Sequence, residues 1–534
     1  MDLDSSPFQR LLHTNYVPSP EETIQIRALC ATPLEELTRL GAEIEHTLAR
    51  LHDLQRSYRQ LKESIDAHMS LLAPMRSLPP ELLQSIFFMT LPSERNAVMH
   101  ASEAPVLLCR ICSGWRRLAF ATPKLWASIH VVIPPVDYSE SVNSPGDVRR
   151  FAMEEWLART GACPLYISIY VSQEAWKGAA AAAASPFVEA ILSLANRWKH
   201  IELRVPADSL DSLHYLVAAD VPLLQTLSIS NGSSLARDDW SGNLLFLQHA
   251  PQLHTLSLTH DGNVVLPPLP WGQLTSLSMS ANRTFFNLDV ATILSTLSLC
   301  SALRRCRLHF PRFPRNGQPP PNSHQLFSLS NLDFLSVTAT SFYDNDRSLF
   351  HIFERLVLPN LQTLELEDRN GDLVIFSALS GLLTRSKCHL RNLKLVNITT
   401  SPSQCINLFS LPVMNDLNEL TVRDRYGDED ESFLTESFFE TMANSKSICP
   451  NLRTIRLKDC TYCSDKTLFA VLQARSGGLE LADISFAREA DSDFDVDATF
   501  RELSEGGLKL HVGYENDDFW DPLRVSPWEG VKYP

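Results

Sequence analysis

The chain has 534 residues, which is too long for one ordinary domain and predicts either several domains or a repeat array. Its hydrophobic fraction of 44% is that of a folded protein and excludes wholesale disorder. The 62 acidic residues outnumber the 47 basic ones, and the formal net charge of −15 argues against nucleic acid or an anionic membrane as a general partner.

The N-terminus and the cysteines indicate a compartment. The first residues lack the basic segment and apolar core that mark a secretory signal. No stretch approaches the ~18–20 consecutive apolar residues that a membrane span needs. The eleven cysteines are scattered from Cys30 to Cys463, which is typical of a reducing environment. We therefore expect a cytoplasmic or nuclear protein without a membrane span.

A long helix is predicted over residues 32–74, after a flexible segment 1–31. Thr32 is a candidate N-cap, Pro33 suits the first helical position and Glu35 completes a capping box. Apolar residues then alternate at spacings of three and four, as in a coiled-coil seam. The seam residues are Leu37, Leu40, Ile44, Leu51, Leu54, Tyr58, Leu61, Ile65 and Leu72. Two alternatives stay open, because the helix could pair with a second copy or pack on its own chain.

Residues 75–130 contain three apolar clusters in a fixed order. The first is Leu78-Pro79-Pro80-Glu81-Leu82-Leu83, in which the prolines set a helix start. The second is predicted to be one helix whose apolar side is Leu108, Ile111, Cys112, Trp115 and Leu118. The third is Pro123-Lys124-Leu125-Trp126. So short a unit cannot enclose this many large apolar side chains, and a partner surface is expected.

The three clusters in this order resemble the F-box. The preceding helix, which runs into Ala73-Pro74-Met75, makes the pair similar to a large group of fungal F-box proteins. The loop from Thr90 to Pro105 is longer than the connection usual in that family. The resemblance implies docking onto a Skp-type adaptor and, through it, onto a cullin scaffold. The adaptor-contacting residues that it implies are Leu78, Pro79, Leu82, Ile86, Ile111, Cys112, Trp115, Leu118, Leu125 and Trp126. The alternative is that these residues form the core of a small helical domain.

Residues 160–515 repeat the pattern apolar-x-x-apolar-x-apolar. The middle apolar residue is predicted at Ile201, Leu227, Leu256, Leu277, Cys306, Leu335, Leu364, Leu393, Leu420, Ile455 and Ile484. Six of these ten spacings are 29 residues, within the ~20–29 typical of leucine-rich repeats. The stretch from Cys449 to Leu468 resembles the cysteine-containing subtype of these repeats, which often follows an F-box. The run Leu165 to Val171 is predicted to cap the array, and residues 516–534 to form a tail.

The predicted fold class is α/β, with a long N-terminal helix and a small all-α module followed by a strand–helix solenoid. Residues that flank the strand leucines face the open side of the sheet. In the early strands they are small and uncharged, such as Thr226 and Ser228, whereas later strands are charged. The predicted target-binding residues are Arg305, Arg307, Glu365, Glu367, Lys394, Arg423, Arg456 and Lys458. An ordinary solvated sheet face is the alternative.

No metal, cofactor or catalytic site is expected. The pairs Cys109/Cys112 and Cys460/Cys463 lie in separate units, whereas zinc needs four ligands together. An acidic run has the spacing of a calcium loop, but Val496 replaces its glycine. The members of that run are Asp491, Asp493, Asp495, Asp497 and Glu502. The sequence contains no Gly-rich phosphate loop, nucleophile elbow or paired zinc histidines.

The sequence therefore predicts a non-enzymatic bridge in a ubiquitin ligase. The F-box module holds the adaptor and the repeats hold an unknown target, so proximity promotes ubiquitin transfer. The alternative is a leucine-rich repeat scaffold outside the ubiquitin system, whose helical module binds another partner. Co-purification of a cullin separates the two.

Overall fold

The computed structural model divides the chain into two compact units, Met1–Ser85 and Ile86–Pro534. The residues that it describes are 6–134, 145–171, 180–230, 244–260, 269–281, 290–310, 325–339, 348–368, 375–398, 402–423, 434–445, 447–460, 462–486, 491 and 495–514. The predicted tail, 516–534, lies outside them.

The first unit is built on α1 (Pro20–Leu71), a helix of 52 residues. Ser19 caps it: the Ser19 Oγ accepts a hydrogen bond from the Glu22 N–H at 3.3 Å, and the Ser19 N–H donates to Glu22 Oε2 at 2.8 Å. The predicted start at Thr32 is therefore wrong, and part of the segment expected to be flexible is helical. Pro33 lies inside the helix, which continues on both sides of it. Within the described residues, no helix is long and apolar enough to cross a bilayer.

Three short helices follow: α2 (Pro80–Met89), α3 (Leu108–Ile111) and α4 (Ser113–Phe120). The single helix predicted across the second apolar cluster is thus two helices. Cys112 is extended, with φ −158° and ψ 169°, and its Sγ accepts a hydrogen bond from the Trp115 N–H at 3.4 Å. Cys112 therefore caps α4 and interrupts the periodicity. A 3-10 turn, Pro123–Trp126, closes the segment.

The rest of the second unit is a parallel sheet with helices, which confirms the α/β class. Within the described residues, fourteen strands follow one another in chain order, and β8 and β10 form a separate parallel pair. The strands are β1 (Ser128–Ile133), β2 (Leu165–Val171), β3 (Trp198–Arg204), β4 (Thr226–Ser230), β5 (Thr255–His260), β6 (Ser276–Ala281), β7 (Arg305–Phe310), β8 (Phe327–Ser328), β9 (Phe334–Ala339), β10 (Leu356–Val357), β11 (Thr363–Asp368), β12 (Asn392–Val396), β13 (Glu419–Arg423), β14 (Thr454–Cys460), β15 (Leu481–Phe486) and β16 (Lys509–Tyr514).

Helices connect many of the successive strands, which gives the unit a solenoid-like repeat of strand and helix. They are α5 (Pro145–Ala158), α6 (Ala180–Leu192), α7 (Val290–Leu299), α8 (Ser348–Arg355), α9 (Ile375–Ser386), α10 (Pro402–Phe409), α11 (Glu436–Asn444), α12 (Asp465–Arg475) and α13 (Val496–Glu505). Elsewhere 3-10 turns occur, such as Ala207–Tyr215 and Pro412–Asp416.

The strand register confirms the predicted repeat except at its last member. The predicted middle residues pair with one another from Ile201 to Ile455. Ile455 then pairs with Ala482, while Ile484 pairs with Leu457. The repeat there has a small alanine in the middle position. The larger Ile484, two residues later on the same face, was therefore mistaken for it.

The sheet also begins earlier than predicted. Leu165–Val171, expected to cap the array, is the second strand, and β1 pairs with it in parallel. Ile129 is in register with Ile167, and both are buried. The edge strand therefore starts at Ser128, inside the segment predicted to be all helical.

Asparagine side chains tie successive repeats together. Each amide Nδ2 donates to a backbone carbonyl of the preceding repeat: Asn331 to Ser301 at 2.9 Å, Asn360 to Ser330 at 2.6 Å, and Asn451 to Asn415 at 2.8 Å. Each asparagine directly precedes the first apolar residue of its repeat, which is buried. The core is thus shared between neighbouring repeats, each of which depends on the next.

Candidate functional site

The residues predicted to contact an adaptor differ in exposure. Leu82 is 52% exposed and Ile111 56% exposed. Pro79 and Cys112 are also exposed. The half-buried members of the set are Leu78, Ile86, Trp115 and Leu118. Each of these eight residues is therefore at least partly exposed and accessible to a partner.

Leu125 and Trp126 are buried, so the prediction that they contact an adaptor is wrong. The Trp126 Nε1–H donates to the Ala119 carbonyl at 2.9 Å, and its ring packs edge-on against Trp156 with 4.9 Å between centroids. The Trp156 Nε1–H in turn donates to the Trp126 carbonyl at 2.8 Å. The Leu-Trp turn is therefore part of the core that joins α4 to α5.

Four exposed apolar residues of the same segment were missed from the sequence: Met75, Met89, which is 84% exposed, Leu107 and Phe120. Met89 follows Ile86 by three residues, and Ile111 follows Leu107 by four. Those spacings put each pair on one helix side and were the available signal. Trp115 is half-buried, and its ring centroid is 4.9 Å from that of the buried Phe87.

The eight predicted target-binding residues all lie on the open face of the sheet, since each alternates with buried strand residues. Some of them are engaged in ion pairs with other described residues. Arg423 Nε is 2.6 Å from Asp459 Oδ2, Lys458 Nζ is 2.7 Å from Asp483 Oδ1, and Arg456 pairs with Glu419. Glu365 and Lys394 stand opposite each other on neighbouring strands. Glu367 lies two residues after Glu365 on the same strand and is half-buried.

Arg305 and Arg307 have a different environment. Both guanidinium groups lie over the ring of Phe334, with Cζ 5.2 Å and 4.7 Å from the ring centroid. Phe334 is on the open face, opposite Arg305, yet only 6% of it is exposed. The two arginines cover an aromatic ring that the sheet would otherwise present to solvent.

A cavity of about 560 Å³ lies on the open face of β1, β2 and β3, a part of the sheet for which the sequence predicted no site. Its far wall is the loop Pro92–Asn96, part of the unusually long connection noted in the sequence. This connection lies along the sheet edge: Val98 forms a parallel bridge with His130, whose N–H donates to the Ala97 carbonyl at 2.7 Å.

Polar groups form the floor of this cavity. The Asn96 Nδ2 donates to Ser168 Oγ at 3.0 Å, the Ser128 hydroxyl donates to Asn96 Oδ1 at 2.8 Å, and His130 Nδ1 is 2.8 Å from Ser168 Oγ. Such mutual bonding holds the floor rigid.

Aromatic rings line the cavity above this floor. Tyr166 stacks on His200 with 6.5 Å between ring centroids, and the Arg204 guanidinium lies 4.9 Å from the centre of the Tyr170 ring. Burial lowers the pKa of His200 from its usual value, an effect that the nearby Glu202 carboxylate opposes. The surroundings of His200 therefore favour its neutral form.

One residue considered as a metal ligand, Asp491, forms hydrogen bonds within the chain. In the described ranges, no group of three or more His, Cys, Asp or Glu side chains is placed to hold a metal ion. Asp491 and Asp465 bond reciprocally, since each backbone N–H donates to the other residue's Oδ2 at 2.8 Å. Burial raises the pKa of the Cys109 thiol, while Cys112 is exposed. Asp493 lies outside the described residues.

Comparison with models of known protein families gave no match. Comparison with curated proteins gave no significant match either. The function proposed below therefore rests on the residues and geometry of this chain alone.

Proposed function

We propose that this protein is the substrate-recognition subunit of a Skp-cullin-F-box ubiquitin ligase. Its F-box, residues 75–130, binds a Skp-type adaptor and through it a cullin scaffold. Its leucine-rich repeats bind the target protein. The chain contributes no chemistry of its own, because holding a target near the ubiquitin donor raises the effective concentration of the reacting groups.

The observation that supports the adaptor-binding role is the exposure of large apolar side chains on the short helices α2 to α4. Leu82, Met89 and Ile111 are each more than half exposed. They fall within a segment whose ordered motifs resemble the F-box. Exposed apolar side chains concentrated in one functional segment are typical of a surface that a partner covers.

The target-binding role is supported by the repeat. Parallel strands in chain order, connecting helices and asparagines that bond to the preceding repeat are features expected of leucine-rich repeats. An open sheet face with charged and aromatic residues at fixed spacing offers the polar variety that protein recognition uses.

The test is co-expression of the full chain with a Skp-type adaptor. We expect a one-to-one complex on size exclusion. Replacing both Leu82→Asp and Ile111→Asp should abolish it, because each lost apolar anchor costs about 2 kcal/mol or more. Leu245→Asp is the matched control, since Leu245 is as exposed as Leu82 but lies outside the segment.

Two results would count against this proposal. A well-folded chain that fails to bind the adaptor at micromolar concentration removes the F-box assignment. A chain that binds the adaptor without recovering a cullin from cells favours the scaffold alternative instead.

A further inference from the structure

Cations on the open face of the sheet differ in what they contact. Arg423, Arg456 and Lys458 each have a carboxylate partner within the chain. Arg305 and Arg307 instead rest on an aromatic ring. We call Arg305, Arg307 and Phe334 the arginine patch. Its two arginines are exposed, in a chain whose net charge is −15.

The strands on either side of the arginine patch place hydroxyl groups beside it. Arg305 stands between Ser276 and Phe334, and Arg307 between Ser278 and Ser336. Among the described residues, the acidic side chain in line with Arg307 is Glu365, one strand beyond Ser336. Two strand spacings put it about 10 Å away, too far for a direct ion pair. The patch is therefore a local excess of positive charge, flanked by small groups that can donate hydrogen bonds.

Phe334 prepares these arginines for binding. Its buried ring attracts both guanidinium groups and restricts the side chains that carry them. A long, flexible arginine normally loses rotamer freedom when it binds a carboxylate. Here part of that rotamer freedom has already been lost on folding, so each guanidinium group can pair with a carboxylate at lower entropic cost.

The spacing of the two arginines specifies the ligand. They occupy alternate positions of β7, so their backbones are about 7 Å apart along the strand. Alternate residues of an extended peptide have the same separation and point the same way. Two carboxylates one residue apart in an extended segment can therefore face both arginines at once.

We propose that the arginine patch binds an extended acidic segment of the target protein, with aspartate or glutamate at two alternate positions. The proposal rests on the proposed function, which makes this sheet face the target-binding surface, and it names the class of sequence that the surface selects. Charge complementarity and matched spacing identify the occupant.

The test measures binding of labelled Ser/Gly peptides to the full chain by fluorescence anisotropy. One peptide contains Glu-Ser-Glu and a second, of equal charge, contains Glu-Glu-Ser. We expect the Glu-Ser-Glu peptide to bind more tightly than the Glu-Glu-Ser peptide, and we expect its affinity to fall as salt is added. The double variant Arg305→Gln, Arg307→Gln should bind it about tenfold more weakly. Arg453→Gln is the matched control, because its guanidinium is paired with Glu480.

Phe334 provides a separate arm of the experiment. Phe334→Leu keeps both charges but removes the ring, so the preference for Glu-Ser-Glu should fall, while Phe334→Tyr should retain it. Thermal melting of both variants reports whether the fold is intact. Equal binding of the two peptides, or equal weakening by Arg453→Gln, would overturn the proposal. Tighter binding of a phosphoserine peptide would overturn its assignment to carboxylates.

Adaptor binding separates this inference from the proposed function. If the chain forms the adaptor complex but ignores the acidic peptides, the assignment of the arginine patch fails and the ligase proposal stands. If the peptides bind as expected but the adaptor does not, the patch stands as a peptide site and the ligase proposal fails.

Discussion

The long helix α1 and the parallel sheet both have regular apolar patterns, but the chain treats them differently. No residue of α1 is buried, and seam residues such as Leu51 and Leu54 are exposed. In the sheet, Leu364 and Leu393 occupy equivalent positions of neighbouring repeats and are fully covered. Periodicity therefore indicates which side chains share a face, but not whether the same chain covers that face.

The difference follows from what each pattern requires. A repeat strand obtains its neighbour from the next repeat, so its core is completed within one chain. A helix with a heptad seam gains its stability from a second helix, because lone helices are marginal in water. The exposed seam is thus a surface available to a second copy of the chain, whereas the sheet core is already complete.

The largest expected effect contrasts the two regions directly. Leu364→Ala should lower the free energy of unfolding by about 2–5 kcal/mol, because it removes buried methyl groups and leaves a cavity. Leu54→Ala, in the exposed seam, should change it by less than about 0.5 kcal/mol at concentrations where the chain is monomeric. Urea titration followed by circular dichroism measures both. Similar losses for the two variants would mean that the chain covers the seam after all.

A second experiment asks whether another copy covers the seam. We expect the peptide 19–72 to gain helicity as its concentration rises, and the variant Leu51→Asp, Leu54→Asp to lose that dependence. His52→Asp is the control, because it adds charge beside the seam rather than in it. Helicity that does not depend on concentration in the parent peptide would exclude self-association through α1.

The sequence was sufficient to predict the repeat and insufficient to locate its ends. Regular spacing gave the register from Ile201 to Ile455, because every strand obeys the same geometry. It failed at Ala482, whose small side chain gives a weak apolar signal. It also failed at the start of α1, where two proline-containing capping patterns compete and the structure uses the one at Ser19.

The candidate sites were predictable only in part. Exposure cannot be deduced from composition in so small a unit, so Trp126 was assigned to a surface although it hydrogen-bonds within the core. The cavity over β1 to β3 was missed because its floor joins Asn96, Ser128, His130 and Ser168 from a loop and two strands. Phe334 was missed as well, because an aromatic residue on the open face of a strand does not itself indicate that arginines of the neighbouring strand cover its ring.

Cysteine reactivity extends the comparison to the proposed adaptor surface. Cys112 is exposed, whereas Cys388 and Cys449 lie in the core, where burial raises their pKa to about 11 and about 12. The thiolate is the reactive form, so iodoacetamide should modify Cys112 in the folded chain and the two core cysteines only after unfolding. Mass spectrometry of digests measures each site.

Bound adaptor should slow the modification of Cys112 while leaving the core cysteines unreactive as before. Cys112→Ser identifies the Cys112 signal. Unchanged labelling of Cys112 in the adaptor complex would place the interface elsewhere on the chain.

The smallest expected effect concerns His200, on the face of the sheet that solvent reaches. Burial lowers its pKa in the folded protein below the usual value of about 6.5, with Glu202 partly offsetting the shift. As pH falls through about 6.5, the unfolded chain takes up a proton at this residue before the folded chain does. The stability contributed by the neutral ring is therefore complete above that pH and is lost as pH falls toward the lowered pKa.

His200→Phe keeps an aromatic ring beside Tyr166 but cannot titrate. Between neutral and mildly acidic pH, we expect the melting temperature of the parent to fall slightly more steeply than that of His200→Phe. The difference is small because His200 is one of many groups whose titration affects stability. Parallel pH profiles would mean that the open face leaves His200 as solvated as it is in the unfolded chain.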